Sequence, residues 1–346
     1  MTGKKAEILI IGAGSWGTTL AFILAEKGYN IKIWSKEEEV VKDINVNKRN
    51  SRYIGELCLP CEINAFGDFD KSHISNTGIN FNIIIFAVPS EYLRNVSASF
   101  KDFLNNLSEN IKAVVNVAKG IEPGTNLRMS QVLSETLPER LKSKISTLSG
   151  PNISSEIIRK LPSVSTIASH DGRIAKYLQP ILSTEYFRVY TNSDQTGVEI
   201  CGAVKNIIAI ASGISDGLGF GSNTKASLIT RGLYELKKFG IKFGAKISTF
   251  SGASGMGDLI TTCISPNSRN RTVGERIAKG ENLKDIIKSM YMVAEGVTTT
   301  KAVYEMSVVL NIELPITDCV YGVLYKNADP LKSVKTLMTR KYKSEY

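Results

Sequence analysis

Glycines 12, 14 and 17 are the first residues whose spacing could do chemistry. Gly12-Ala13-Gly14-Ser15-Trp16-Gly17 follows the apolar run Ile8–Ile11 and opens a helix-like stretch, the context that makes G-x-G-x-x-G a dinucleotide-binding turn. Gly12 allows the tight turn, Gly14 lets backbone N–H groups approach a pyrophosphate, and Gly17 lets helix pack on strand, while the helix N-terminus supplies partial positive charge. About twenty residues further on, an NAD-selective site places an acid against the ribose hydroxyls. Here Ser35 and Lys36 end the second strand-like run, and a hydroxyl with a cation suits the 2'-phosphate of NADP. NADPH is therefore the expected cofactor, with NAD left open by Glu37, Glu38 and Glu39 close behind.

Three more strand-like runs end in polar or tight-turn residues: Val88-Pro89-Ser90, Ala118-Lys119-Gly120 and Ser149-Gly150-Pro151-Asn152. Ligands of open α/β sheets bind beyond the carboxyl ends of the strands, which turns Lys119 towards a crevice for the nicotinamide. Lys205 shares a helical stripe with Cys201 and Ile208, so its stem lies on an apolar face. Either its ammonium snorkels to water, or it is partly desolvated, its pKa lowered further by a nearby Lys119, and it serves as proton donor and acceptor. Pro266-Asn267-Ser268-Arg269-Asn270-Arg271-Thr272 precedes a helical stretch and reads either as a phosphate cradle or as a well-capped helix with exposed arginines. Asp258, behind a run of small residues, either orients a substrate hydroxyl or a lysine, or caps a helix.

The elements that must hold these groups follow from periodicity. Short apolar runs at Ile8–Ile11, Ile31–Trp34, Asn82–Val88, Lys112–Ala118 and Ile145–Leu148 alternate with helical stretches, which predicts a parallel sheet buried on both faces. Ser163–Ala168 and Phe187–Tyr190 extend or flank it. From about Asp194 helical spacing takes over, as in Val198, Cys201, Val204, Ile207, Ile208 and Ala211. The expected fold class is α/β, with a Rossmann-like, mostly parallel sheet over residues 1–193 and a mainly α-helical substrate domain over 194–346.

Composition sets the bounds. The chain has 346 residues, 42% hydrophobic and 22% charged, which excludes collagen, coiled coil and long disorder and suits two domains. A net charge of +10 raises the question of an anionic partner, but the excess is scattered, and only Lys332–Tyr346 is locally basic, as expected of a solvated tail. Five cysteines, an odd and irregular set, point to a reducing compartment. Cys58 and Cys61 form a C-x-x-C with no second pair, and His73 lies beyond them, so no metal site is expected. Lys4 and Lys5 ahead of the uncharged run Ile8–Ala25 imitate a signal or membrane segment, but glycines divide the run, and no other stretch approaches a spanning length. The expectation is a soluble cytoplasmic protein without an integral membrane segment.

Assembled, these residues make the chain similar to the NAD(P)-dependent glycerol-3-phosphate dehydrogenases, in particular the soluble bacterial-type enzyme, over nearly its whole length. The resemblance is carried by GAGSWGTTLA at 12–21, FAVPS at 86–90, AKGIE at 118–122, LSGPN at 148–152, VKNIIAIASGISDGLG at 204–219, SGMGDLITTC at 254–263 and SRNR at 268–271. It implies reduction of dihydroxyacetone phosphate to sn-glycerol 3-phosphate by hydride transfer from NAD(P)H, supplying glycerophospholipid synthesis, in a homodimer. It implies Lys205 as the proton-transfer residue, Lys119 and Asp258 as the other polar groups around the triose, and Asn206, Gly150 and Asn152 as substrate neighbours. Arg269 and Asn270 would grip the substrate phosphate with Ser268 assisting, and Ser15, Trp16, Lys36, Ser154, Arg269, Val293 and Glu295 would touch the cofactor.

Two departures stand out. Asn152-Ile153-Ser154 replaces the family's usual small residue, aromatic and alanine, and Lys36 stands where arginine or histidine is frequent, which weakens 2'-phosphate recognition because lysine lacks the planar fork. The rival readings are another two-domain Rossmann dehydrogenase, such as a ketopantoate reductase or β-hydroxyacid dehydrogenase, from which the SRNR cradle separates this chain, and a non-catalytic dinucleotide or nucleic-acid binder. No recognition helix or RNA-binding signature supports the last of these.

Overall fold

The computed structural model describes residues 7–68, 80–107, 109–342 and 344–345. Lys4, Lys5, His73 and Lys343 lie outside the described residues. The chain forms two compact units, one of Met1–Lys119 with Arg128–Val198, the other of Gly120–Leu127 with Glu199–Tyr346. The boundary expected at 193/194 thus falls at 198/199, and the short segment Gly120–Leu127 leaves the first unit for the second.

The first unit is built on one sheet of β1 (Glu7–Ile11), β2 (Asn30–Trp34), β3 (Ile63–Phe66), β4 (Phe81–Phe86), β5 (Ala113–Asn116), β6 (Ile145–Ser149), β7 (Ser163–Ala168) and β8 (Phe187–Asn192). Their order is β3-β2-β1-β4-β5-β6-β7-β8. The strands from β3 to β6 are all parallel, in registers such as Ile8 opposite Ile31 and Ile83. Residues Ile8 to Ile11 have no exposed surface, as a strand covered on both faces requires. β7 runs antiparallel to β6, and β8 is parallel to β7, so the two flanking runs extend the sheet in the reverse sense. Chain order reverses between β1 and β4, and in such a sheet this switch point opens the ligand crevice at the carboxyl ends of the strands.

The helices of seven residues or more are, in this unit, α1 (Ser15–Glu26), α2 (Ser90–Ser99), α3 (Lys101–Leu107), α4 (Met129–Thr136) and α5 (Gly172–Leu182). The uncharged run Ile8–Ala25 is therefore a buried strand and a helix buried from Gly17 to Ala25.

The second unit is helical: α6 (Gln195–Gly217, its first turn in the first unit), α7 (Ser222–Lys242), α8 (Asp258–Ile264), α9 (Arg269–Ala278), α10 (Leu283–Ser289), α11 (Glu295–Val309), α12 (Pro315–Tyr325) and α13 (Pro330–Met338). Its core gathers around α6, with Val204, Ile207 and Ile208 packed in one cluster with Phe239, Phe250 and Leu259. α6 corrects one expectation: its 23 residues include an 18-residue window apolar enough to cross a membrane, but that window is wholly buried, the mark of a core helix. A second correction concerns the basic C-terminal stretch, which begins as a helix capped by Asp329 rather than as a tail, with Arg340 paired to Glu313.

Two glycines set how α6 meets α9. A Cβ on Gly213 would lie 1.9 Å from the Arg271 carbonyl oxygen, and one on Gly274 2.0 Å from that of Ile210. The two helices thus touch backbone to backbone, and α9, which carries the predicted cradle, is held at a fixed height on α6.

Candidate functional site

In the first unit the fingerprint turn has the shape its sequence calls for. Gly12 has φ +116°, and a Cβ there would meet the Ala87 carbonyl oxygen at 2.6 Å; one on Gly17 would meet the Gly12 carbonyl oxygen at 2.0 Å. Above Gly14 nothing lies within 4 Å. Gly14 is also the N-cap of α1 and offers no side chain, so the first-turn N–H groups at Ser15 and Trp16 carry no side-chain cap. An open glycine, uncapped donors and a helix dipole fit a dinucleotide pyrophosphate. Trp16 packs edge-on against Phe187, ring centroids 6.2 Å apart, and its buried indole N–H has no hydrogen-bond partner among the described residues.

The turn is held from behind by a residue that sequence reasoning missed. Fully buried Asn50 donates through Nδ2 to the Ala13 carbonyl and to Thr18 Oγ1, both at 2.8 Å. No local pattern announces a contact across 37 positions.

Among the other expected residues of this unit, Lys119 Nζ donates to the Gly150 carbonyl at 2.8 Å. Asn152 Nδ2 donates to Ser165 Oγ at 3.3 Å, and Ser165 Oγ in turn to the Ser149 carbonyl at 3.0 Å. Lys119, Gly150 and Asn152 are thus joined at the ends of β6 and β7. The Asn152 Oδ1 and Ser149 Oγ atoms are buried without partners among the described residues, which leaves polar capacity for a ligand there. Ser154 begins a one-turn helix, Ser154–Ile158. Lys36 is exposed.

In the second unit Lys205 and Asp258 meet. Lys205 is 4% exposed and Asp258 1%; the lysine Nζ donates to Asp258 Oδ1 and, at 2.7 Å, to Thr262 Oγ1. Thr262 Oγ1 donates onward to the Asp258 carbonyl at 2.6 Å. The ammonium therefore does not snorkel. Asp258 spends its carboxylate on Lys205 rather than on a helix cap, for the N-cap position of α8 is Gly257. Thr262 is the second residue sequence reasoning missed, although its place four positions after Asp258 on a helix puts both on one face.

One residue along α6, Asn206 Oδ1 accepts from Asn270 Nδ2 at 2.9 Å, and Asn270 Oδ1 accepts from the Gly296 N–H at 2.8 Å. This chain ties α6, α9 and the N-terminus of α11 together. Ser268 caps α9 by accepting from the Arg271 N–H, while Arg271 pairs with Asp216 of α6 at 2.6 Å and Asp216 also binds Lys225 at 2.7 Å. Arg269 is exposed at the start of α9. Its Nη1 donates to the Val293 carbonyl at 2.9 Å; desolvation lowers its pKa, and the charge of Glu295 opposes that shift only in part. The segment is a well-capped helix start with the Arg269 guanidinium at its positive end. Among the described residues no group of His, Cys, Asp and Glu could hold a metal ion.

The strand order, the glycine turn at its switch point and the lysine-bearing helical unit are those of a Rossmann-type dehydrogenase. Residues 7–175 match the family described as NAD-dependent glycerol-3-phosphate dehydrogenase N-terminus, and residues 194–335 the one described as NAD-dependent glycerol-3-phosphate dehydrogenase C-terminus. The chain belongs to the glycerol-3-phosphate dehydrogenase family and is an enzyme of that kind. A glycerol-3-phosphate dehydrogenase [NAD(P)+] of Solidesulfovibrio magneticus is 44% identical over 339 residues, covering 98% of this chain and 100% of the relative. The crystal structure of a glycerol-3-phosphate dehydrogenase from Coxiella burnetii superposes with TM-score 0.89 at 35% identity, covering 98% of this chain and 100% of that one. The enzyme from Saccharomyces cerevisiae gives TM-score 0.79 at 28% identity, covering 96% of this chain and 99% of that one.

Proposed function

We propose that the chain reduces dihydroxyacetone phosphate to sn-glycerol 3-phosphate, with Lys205 as the proton donor and acceptor, and that it supplies glycerophospholipid synthesis from the cytoplasm as a homodimer. The observation that carries the reading is the buried Lys205–Asp258–Thr262 cluster in a family of NAD(P)-dependent dehydrogenases. The bound nicotinamide supplies the hydride. The chain's own part begins with Lys205: as the carbonyl oxygen gains negative charge, Nζ gives it a proton, and solvent restores that proton afterwards. Asp258 and Thr262 hold the ammonium in one position, so that its proton is presented from a fixed point. Lys119 is the second cation of the reaction. Asn206, Asn152 and Gly150 line the triose, and Arg269, with Asn270 and Ser268 shaping the turn beneath it, holds the phosphate, so that binding energy remote from the reacting carbon orients it.

Gly12, Gly14, Ser15, Trp16 and Gly17 hold the pyrophosphate, with Ser154, Val293 and Glu295 as further cofactor contacts. Ser35 and Lys36 favour NADPH, and NADH is accepted. The test follows the loss of reduced-nicotinamide absorbance with dihydroxyacetone phosphate, with unphosphorylated dihydroxyacetone as control. Turnover is expected only with the phosphorylated ketone, and Arg269→Ala is expected to raise KM roughly 10- to 100-fold. Equal turnover of both ketones, or an unchanged KM in the variant, removes the phosphate role.

A further inference from the structure

At the end of β2 the structure adds to Ser35 and Lys36 a carboxylate that is firmly held. The Glu37 N–H donates to Ser35 Oγ at 3.2 Å, and Ser35 Oγ donates back to Glu37 Oε2 at 3.3 Å, which folds the glutamate onto the strand end. Its other oxygen, Oε1, accepts from the Tyr53 hydroxyl at 2.7 Å and lies 3.6 Å from Arg52 Nη2. Burial, with Glu37 beside it, pushes the Tyr53 phenol up to about 12, so the hydroxyl remains a donor throughout the physiological range. Tyr53 and Arg52 belong to the helical turn Ser51–Ile54, and the residue before it, Asn50, is the one pinned to the fingerprint turn. The clamp and the glycine turn are therefore one rigid assembly.

A fixed carboxylate beside the strand end accepts a hydrogen bond from a ribose 2'-hydroxyl and repels a 2'-phosphate. We infer that Glu37, clamped by Tyr53 and Arg52, reads the cofactor's 2'-position and offsets the attraction of Ser35 and Lys36 for a 2'-phosphate, so that the chain accepts both dinucleotides. Arg52 has a double part: it holds Glu37, and once that carboxylate is removed its guanidinium is available to a phosphate. The inference rests on the dinucleotide reading above.

The test needs no turnover. Isothermal titration calorimetry on the full chain compares adenosine 2',5'-bisphosphate with adenosine 5'-monophosphate, which differ only at the 2'-position. Glu37→Gln is expected to raise the affinity ratio of bisphosphate to monophosphate roughly tenfold. Glu37→Asp, which keeps the charge but draws it back from the clamp, is expected to raise the ratio less than Glu37→Gln does. Tyr53→Phe, which loosens the carboxylate without removing it, should move the ratio in the same direction as Glu37→Gln by a smaller factor. A ratio unchanged in folded Glu37→Gln and Tyr53→Phe overturns the inference while leaving the dinucleotide reading intact. A parent chain that binds neither nucleotide overturns both.

Discussion

An ammonium group buried among isoleucines is expensive unless paired, because desolvation of a lone charge costs several kcal/mol. Lys205 meets that cost with Asp258 and Thr262, and its neighbours on α6, Cys201 and Ile208, are fully buried. Thr262→Val keeps the volume and removes one acceptor. It is expected to lower kcat roughly 10- to 100-fold, the worth of a hydrogen bond to a charged group, with the KM for dihydroxyacetone phosphate changed far less; steady-state kinetics decide, and a kcat near the parent value removes Thr262 from the proton path. Lys205 and Asp258 were legible because a lysine on an apolar stripe and an aspartate behind a run of small residues are anomalies in a sequence. Thr262 was not, since a threonine within Leu259–Cys263 looks like any helix residue until its partner is known. Asn50 was not legible at all, because only the fold brings it under the turn at Ala13.

At the scale of elements, the backbone contact between α6 and α9 sets where Arg269 and Asn270 stand. Gly274→Ala places a methyl where the Ile210 carbonyl oxygen already lies, so the helices must separate. A loss of about 1–3 kcal/mol is expected, read as a lower thermal midpoint, together with a higher KM for the phosphorylated ketone. A midpoint equal to the parent's would mean the contact is looser than drawn.

A second element-scale device caps α12. Glu235 of α7, 3% exposed, accepts from the Ile316 and Thr317 N–H groups and the Thr317 hydroxyl. Burial nevertheless outweighs these bonds and pushes its carboxyl up to about 7. The folded chain then holds this proton more tightly than the unfolded chain, so the stability it contributes is full below about pH 4.5 and is lost as pH rises towards 7. Glu235→Gln should flatten that fall, which is on the order of 3 kcal/mol, when urea midpoints are compared between about pH 4.5 and 8. An identical slope in both proteins would assign it elsewhere.

Most elements were legible from apolar runs, since strands buried on both faces carry no alternation to confuse. β3 was missed because Ile63-Asn64-Ala65-Phe66 is short and polar at its second residue, and its pairing with β2 supplies what its own pattern lacks.

At the scale of the whole molecule, composition gave two units and no more. The helical unit was visible in its change of period, but its borrowing of Gly120–Leu127 was not, because eight residues of loop carry no periodicity. That borrowed segment has an evolutionary consequence. Ile121, 1% exposed, is a core residue of the helical unit, yet it is encoded in the middle of the sheet unit, so the chain passes from one unit to the other three times. A gene recombined with a relative near codon 198 would join one parent's helical core to the other parent's Ile121 segment. Such chimaeras are expected to lose up to about 1.5–3 kcal/mol, the worth of one well-buried aliphatic side chain, and to regain it when codons 120–127 are inherited from the donor of the helical half. Thermal melts of the two chimaeras check this. What looks like two interchangeable modules is, for heredity, a pair that must be passed on with its graft.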